Sequence, residues 1–448
     1  AGAAVGSIER AAGAALDYAQ GAAPQVLDPA FGLVRLLGAD LGALLHLQPE
    51  PLGLLRLFTF WFLFLAKPNV AFNLLDFYVL GPVESLLRPS LRQEKYALLE
   101  KLGGGNFGQV YKGLRRANAD ELVGVGQEMS PAQKQRRGVL KRIRSDGRKS
   151  RTDFLKQGAL ASGSAEVGMV EQYMNAKLRR GGLTGSSIAS YKGTFIGESF
   201  EGGFSKGEQW LVWDFESDAT LGDALSGNLG EFPECVEDIV LSPFTLGKGG
   251  PKVVQSLMRK ILTALNGLHN EGIVHRDIKP DNLLITNNRE VKLIDLGAAT
   301  DLSTGINFSP DAGLADPLYM PPEEYVLPVK TPPPPTPLLA VLGAPLLWFT
   351  QAPNKFDTYS VGIMFLEMAV PQLRTRAART ALSQDLQDFG HDLKRWRRES
   401  RLAQIYDFAY LDRGLGSGWD LACRLVCPRG QRLTAAQALM HPYFAFGA

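Results

Sequence analysis

The stretch His275-Arg276-Asp277-Ile278-Lys279-Pro280-Asp281-Asn282 decides how the chain is read. It follows a long amphipathic pattern and precedes the strand-like Leu283-Leu284-Ile285. Asp277 can take the proton of an attacking hydroxyl. Lys279, two residues on, can sit against a phosphoryl group in transfer. Asn282, five residues on, can ligate a metal through its amide oxygen. An ordinary surface connection has no need to gather a base, a cation and a metal ligand at such short spacing.

Downstream, Val291-Lys-Leu-Ile-Asp295-Leu296-Gly297 reads as a strand ending in an acid, 18 residues after Asp277. Hard divalent cations prefer carboxylate oxygen, so Asp295 suits Mg²⁺ bridging two phosphates. Upstream, Gly103-x-Gly105-x-x-Gly108-x-Val110 lets backbone amides approach phosphates with no Cβ in the way. A dinucleotide turn would need a helix directly after the third glycine. Here strands are predicted on both sides, Tyr96–Leu102 and Gln109–Lys112, which makes a flap with Phe107 at its tip. Val139-Leu140-Lys141 closes a third predicted strand. Lys141 can hold phosphates if an acid on the next helix orients it. Glu166 and Glu171 are the candidates, and Glu171 is preferred, on a helix running to Arg180. Pro251–Asn270 is a strong helix, with Val254, Leu257, Ile261, Leu265 and Leu268 on one stripe.

Composition narrows the class. The chain has 448 residues, 45% hydrophobic and 21% charged, which is globular usage. Lys+Arg number 48 against Asp+Glu 46, a net +2, so no global field attracts nucleic acid. Three Cys, none before Cys235, exclude a disulfide scaffold. Cys423 and Cys427 are read as small buried hydrophobes or, on one helical face, a redox pair. Residues 115–151 are strongly basic, and charge runs of this kind are usually solvated faces.

The N-terminal part differs. Residues 1–50 carry a helical pattern centred on Phe31–Leu47. Leu52–Ala66 holds ten Leu and Phe. Their insertion into a bilayer gains roughly 3–6 kcal/mol, against up to about 3 kcal/mol for Arg56. A second apolar run, Val70–Val83, contains Asp76. A short or kinked membrane span, an interfacial helix and a buried core helix all stay open for this stretch. A Pro-rich loop, Thr331–Thr336, leads into Leu338–Phe349.

In this order, the Gly-rich loop, the third-strand Lys, the loop holding Asp277 and Asn282, and Asp295 resemble the eukaryotic-type protein-kinase signature set. Met320-Pro-Pro-Glu323 resembles the close of the activation segment. Asp357-x-Tyr359-Ser360-x-Gly362 resembles the C-lobe core helix, and Arg432 with His441-Pro442 the end of the lobe. Gln209–Trp213, Ile294–Ala299, Gly305–Phe308 and Met368–Arg374 resemble the chloroplast thylakoid protein kinases. Tyr325–Pro328, Met368–Arg374 and the lack of Cys ahead of the apolar run resemble the branch acting on photosystem II core proteins.

The resemblance implies an α+β, bilobal fold. A β-rich N-lobe would span about 94–213 and a helical C-lobe about 214–444, preceded by a 1–50 helical region and a 51–83 membrane segment. It implies ATP and Mg²⁺. Leu102, Val110, Val139 and Leu284 would enclose adenine, and Lys141 fixed by Glu171 would hold phosphates. Asn282 and Asp295 would hold metal, Asp277 would act as base beside Lys279, and Glu323 would pair with Arg432. Thr300, Ser303, Thr304 and Ser309 are candidate activation-segment phosphosites. The implied partners are thylakoid membrane proteins, photosystem II core subunits or, alternatively, antenna proteins as in state-transition kinases. The kinase domain would face the stroma. No nucleic-acid partner is implied, and the oligomeric state is left open. A pseudokinase scaffold would lack one of the catalytic groups, and all are present.

Overall fold

The computed structural model of the chain describes residues 51–104, 108–118, 121, 129–144, 164–182, 186–244, 247–308 and 316–446. The expectations for residues 1–50, Gly105, Phe107 and Ser309 lie outside them.

β1 (Tyr96–Gly104) and β2 (Gly108–Arg115) form an antiparallel pair. β3 (Arg137–Ile143), β4 (Tyr191–Ile196) and β5 (Gln209–Asp214) extend it to a sheet of order β1-β2-β3-β5-β4. The two-residue period of β5 is visible in its packing. Trp210 and Val212 join Leu140 and Phe195 on one face, while Leu211 and Trp213 join Ile143 and Tyr191 on the other. The register places Val110 opposite Lys141 and Val139 opposite Trp213. Helix α1 (Ser164–Arg180) packs on this sheet, burying Val167, Val170, Met174 and Leu178.

The helical lobe is built on α2 (Gly250–Asn270). Its predicted stripe, Val254, Leu257, Ile261, Leu265 and Leu268, is no more than 1% exposed. Each such side chain contributes about 1.5–3 kcal/mol of burial. Short strands follow: β6 (Ile273–Val274) pairs with β9 (Thr300–Asp301), and β7 (Leu283–Ile285) with β8 (Val291–Leu293). The loop 275–282 is thereby held between β6 and β7, and Asp295 comes just after β8.

The Pro-rich insert leads into a helix, α3 (Pro337–Gln351), which the sequence pattern does not announce. The Thr336 side chain accepts the Leu339 N–H at 3.3 Å, and Pro337 sits in the first turn, where its missing donor costs nothing. The insert packs on Gly305, which has φ +81° and where a Cβ would stand 2.8 Å from Pro334. Helix α4 (Lys355–Ala369) runs through the middle of the lobe, wholly buried from Phe356 to Ala369. Cys427 lies past the end of the helix Ala409–Leu425 that carries Cys423, so the two do not share a helical face. All three cysteines are free, and burial lifts the Cys423 thiol to about 12.

Residues up to Ala66 and from Lys67 onward form two units. In the first, the helix Pro51–Phe60 continues as a π-helix through Leu65, with Phe58 stacked on Phe62 and Leu55, Phe58 and Leu65 exposed. In the second, the helical stretch Val70–Leu87 lies against α1 through its few polar residues. Asp76 pairs with Arg180, and Glu84 reaches Arg179 at 2.5 Å and Arg180 at 2.8 Å.

Candidate active site

Three elements converge on Lys141. β3 carries it in the sheet, α1 brings Glu171, and the turn after β8 brings Asp295. Lys141 Nζ lies 2.8 Å from Glu171 Oε2 and 2.8 Å from Asp295 Oδ1. Of the two acids weighed from sequence, Glu171 is the one at Lys141. Glu166, one and a half turns earlier on α1, makes no ion pair with it. The hairpin above is tight, because a Cβ on Gly108 would stand 2.5 Å from the Arg142 carbonyl oxygen of β3. Only glycine permits this close approach of β2 to the strand that carries Lys141.

The electrostatics follow from two carboxylates sharing one ammonium. Burial opposes charge on Lys141, but Glu171 and Asp295 outweigh it and hold the amine charged above its usual range. Burial raises the Glu171 carboxyl to about 7; the Lys141 ammonium opposes this and Asp295 adds to it. Burial would raise Asp295 too, but Lys141 prevails and keeps that carboxylate below its ordinary value. Asp295 adopts φ 62° and Arg276 φ 69°. Left-handed backbone at non-glycine residues is costly and concentrates at functional sites.

The loop 275–282 is organised around two aspartates. Asp357, at the start of α4 and fully buried, accepts the backbone N–H groups of His275 and Arg276, each at 2.9 Å, and lies 2.9 Å from His269 Nε2. His275 in turn lies 3.1 Å from the Ile294 carbonyl oxygen, tying the loop to the approach to Asp295. Asp277 Oδ2 accepts from Lys279 Nζ at 2.8 Å and from Asn282 Nδ2 at 3.0 Å. Asp277 Oδ1 is buried and accepts no hydrogen bond. Asp277 lines a small depression together with Asp316, Tyr319, Met320 and Ser360. Asn282 spends its amide N–H on Asp277, which leaves its oxygen for a cation. Among the described residues no three His, Cys, Asp or Glu cluster as a metal site. Asp295 with the Asn282 oxygen is a donor set of the kind Mg²⁺ takes when phosphate oxygens complete its shell.

The floor of the lobe closes as expected from sequence. Arg432 donates to Glu323 at 2.6 and 3.0 Å. Arg429 adds a bond to the same carboxylate at 3.1 Å, a partner that nothing in the local pattern announces. The activation-segment candidates are corrected: Thr300, Ser303 and Thr304 are no more than 3% exposed. The Ser303 hydroxyl lies 2.6 Å from Asp301 Oδ1 and 2.8 Å from Asn73 Oδ1, either of which can accept its one proton, and the Thr304 hydroxyl donates to Asp301 Oδ2 at 2.7 Å. Hydroxyls so buried and engaged are not phosphate acceptors in this state. Also unforeseen was Asp357 as the anchor of the loop; its motif placed it on a core helix but gave no sign of what it grips.

Comparison with known proteins agrees with this geometry. A protein kinase domain model matches residues 230–337. The chain is 37% identical over 407 residues to the chloroplastic serine/threonine-protein kinase STN8 of Arabidopsis thaliana, covering 86% of this chain and 78% of STN8. It is 35% identical over 391 residues to STN7 of the same plant, covering 85% of this chain and 62% of STN7, so it spans less than two thirds of that relative. Among solved structures, the crystal structure of a Stt7 homolog from Micromonas algae soaked with ATP superposes with a TM-score of 0.64. It is 28% identical, with 80% of this chain and 94% of that one covered. Fold, site and relatives place the chain in one family: it belongs to the STN8/STN7 family of serine/threonine protein kinases.

Proposed function

We propose that the chain transfers the γ-phosphoryl group of ATP, with Mg²⁺, to Ser or Thr hydroxyls of photosystem II core subunits, working at the thylakoid membrane from the stromal side. The observation that carries the chemistry is the pairing of Lys141 with Glu171 and Asp295 across the cleft from an Asp277 oxygen left free. In this reading Val110, Val139, Leu102 and Leu284 enclose adenine, and Lys141 binds the α and β phosphates. Asp295 and the Asn282 oxygen hold Mg²⁺. Bound there, the metal supplies charge neutralisation on the phosphates. Asp277 Oδ1 accepts the proton of the substrate hydroxyl as its oxygen forms the new bond to phosphorus, and ADP departs. Lys279, already at Asp277, lies where it can steady the transferred group. Such catalysis is mostly positioning and electrostatics.

The membrane and substrate parts rest on the apolar stretches and on the relatives. STN8 and STN7 are chloroplastic kinases, and this chain carries exposed apolar helices ahead of its kinase domain. The motifs Tyr325–Pro328 and Met368–Arg374 favour the core-protein branch. The test is to add the full chain and labelled ATP to isolated thylakoids and to map the phosphosites. Label on photosystem II core subunits supports the reading. Label confined to antenna proteins moves the chain to the other branch, and no label on membrane proteins overturns the assignment.

A further inference from the structure

On the surface helix of a water-soluble domain, polar residues face out and apolar residues face in. The stretch Val70–Leu87 inverts this. Asn73 and Asp76 are 1% exposed and turned to Ser303 and Arg180, and Glu84 is turned to Arg179 and Arg180. Leu75, Tyr78, Val79, Val83, Leu86 and Leu87 are exposed. Helix α3 repeats the anomaly in another form. From Pro337 to Gln351 it has no charged residue. Ala340, Val341 and Ala344 face inward, while Leu339, Leu342, Leu346 and Phe349 recur outward at three- and four-residue steps. A helix apolar all round belongs inside something, and here one side is left uncovered among the described residues. The two stretches pack against one another at Val70–Leu75. Together they hold 11 of the 26 exposed large apolar side chains among the described residues.

We infer that Val70–Leu87 and Pro337–Gln351 form one membrane-contact face, laid in the headgroup–acyl boundary of a lipid bilayer. The inference rests on the membrane part of the proposed function and adds the insert of the C-lobe to it. Three features favour lipid over a protein partner. The outward leucines and phenylalanine of α3 offer no donor or acceptor until Thr350, whereas a protein interface carries about one hydrogen bond per 100–200 Å². Exposed Lys67 and Arg88 bracket the first stretch and exposed Lys330 precedes the second, where cations meet phosphate headgroups. In sequence, the apolar helix Gly53–Leu65 comes shortly before the first of these stretches. Bound in this way, the kinase domain would be fixed in orientation as well as in location, with its insert against the bilayer.

The test uses the full chain reconstituted in phosphatidylcholine vesicles containing phosphatidylglycerol, with a diazirine photolabel carried on the acyl chains and the labelled sites mapped by mass spectrometry. Label is expected on residues 338–349 and 75–87 at levels within about threefold of those on 53–65, with exposed Phe244 at background. Label on 53–65 with either of the other stretches at the Phe244 level overturns the inference and leaves the membrane reading standing. No label on 53–65 removes the membrane reading as well. A dimer whose interface shields 338–349 from the label also overturns it. The full chain with Leu342→Gln, Leu346→Gln and Phe349→Gln gives a second readout. Phosphorylation of a free peptide should stay within twofold, and that of a vesicle-tethered peptide should fall at least fivefold. Equal rates on both would overturn the inference.

Discussion

Lys177 of α1 and Asp301 of β9, both fully buried, lie 2.6 Å apart and tie the helix that carries Glu171 to the start of the activation segment. Lys177 also donates to the Ser303 hydroxyl at 2.8 Å and to the Glu271 carbonyl at 3.0 Å, and the Tyr173 hydroxyl donates to Asp301 at 2.9 Å. Removing one partner of a buried pair strands a charge, at about 3–5 kcal/mol. Asp301→Asn should therefore lower the melting temperature by several degrees. Lys177→Met with Asp301→Leu should recover part of the loss. If the double variant is as unstable as the sum of the singles, the pair is not the coupling element.

Asp277→Asn removes the carboxylate whose Oδ1 has no hydrogen-bond partner, while keeping the shape of the loop. Peptide phosphorylation should fall about 10²–10⁴-fold. Nucleotide affinity, read by calorimetry, should stay near the wild-type value. Unchanged turnover would remove Asp277 from the chemistry.

The carboxyl of Glu171, raised to about 7, gives the enzyme a pH dependence of definite sign. As pH climbs through 7 the group ionises and completes its pair with Lys141, so kcat/KM for ATP should rise across that range. Folding responds in the opposite sense. The fold favours the protonated acid, so this group's contribution to stability is full below about 4.5 and is lost as pH rises through 7. Glu171→Gln should lower activity and flatten the profile, whereas Glu166→Gln should keep the wild-type shape. A flat wild-type profile would show that another group fixes Lys141.

Asp295→Asn takes a carboxylate from the cation site and from Lys141 together. Nucleotide affinity in the presence of Mg²⁺ should drop at least tenfold, while metal-free affinity should change little. Equal losses with and without Mg²⁺ would point to damage to the fold.

Asp76 and Glu84 hold Val70–Leu87 to the last turn of α1. In the full chain, Asp76→Asn with Glu84→Gln should loosen the helix that presents Glu171. The Michaelis constant for ATP should rise severalfold, with a smaller change in kcat. A stability loss with no change in either constant would mean that the contact supports the fold alone.

Much of the site was legible because its chemistry is local. Asp277, Lys279 and Asn282 must share one short loop, and Asp295 must end the next hairpin, so their spacing speaks in a single sequence. Glu171 was harder to choose over Glu166, because a long basic connection between β3 and α1 hides the register. Distances along the chain explain the rest. The burial of Ser303 and Thr304 depends on Lys177, 126 residues before Ser303, and on Asn73, 230 residues before it. Helix α3 went unread because its Pro-rich entry and Pro345 look like breakers, yet Thr336 caps it and its inward face packs on the lobe.

Asp357 carries a consequence for how the enzyme dies on heating. One carboxylate at the head of the most deeply buried helix receives the amides of His275 and Arg276 and the imidazole of His269. Those two amides can meet deuterium only when α4 lets go, which requires the helical lobe itself to open. The catalytic loop therefore has no private melting event. Its exchange protection should equal that of the lobe's central helices, and loss of turnover on heating should coincide with the main calorimetric transition instead of preceding it.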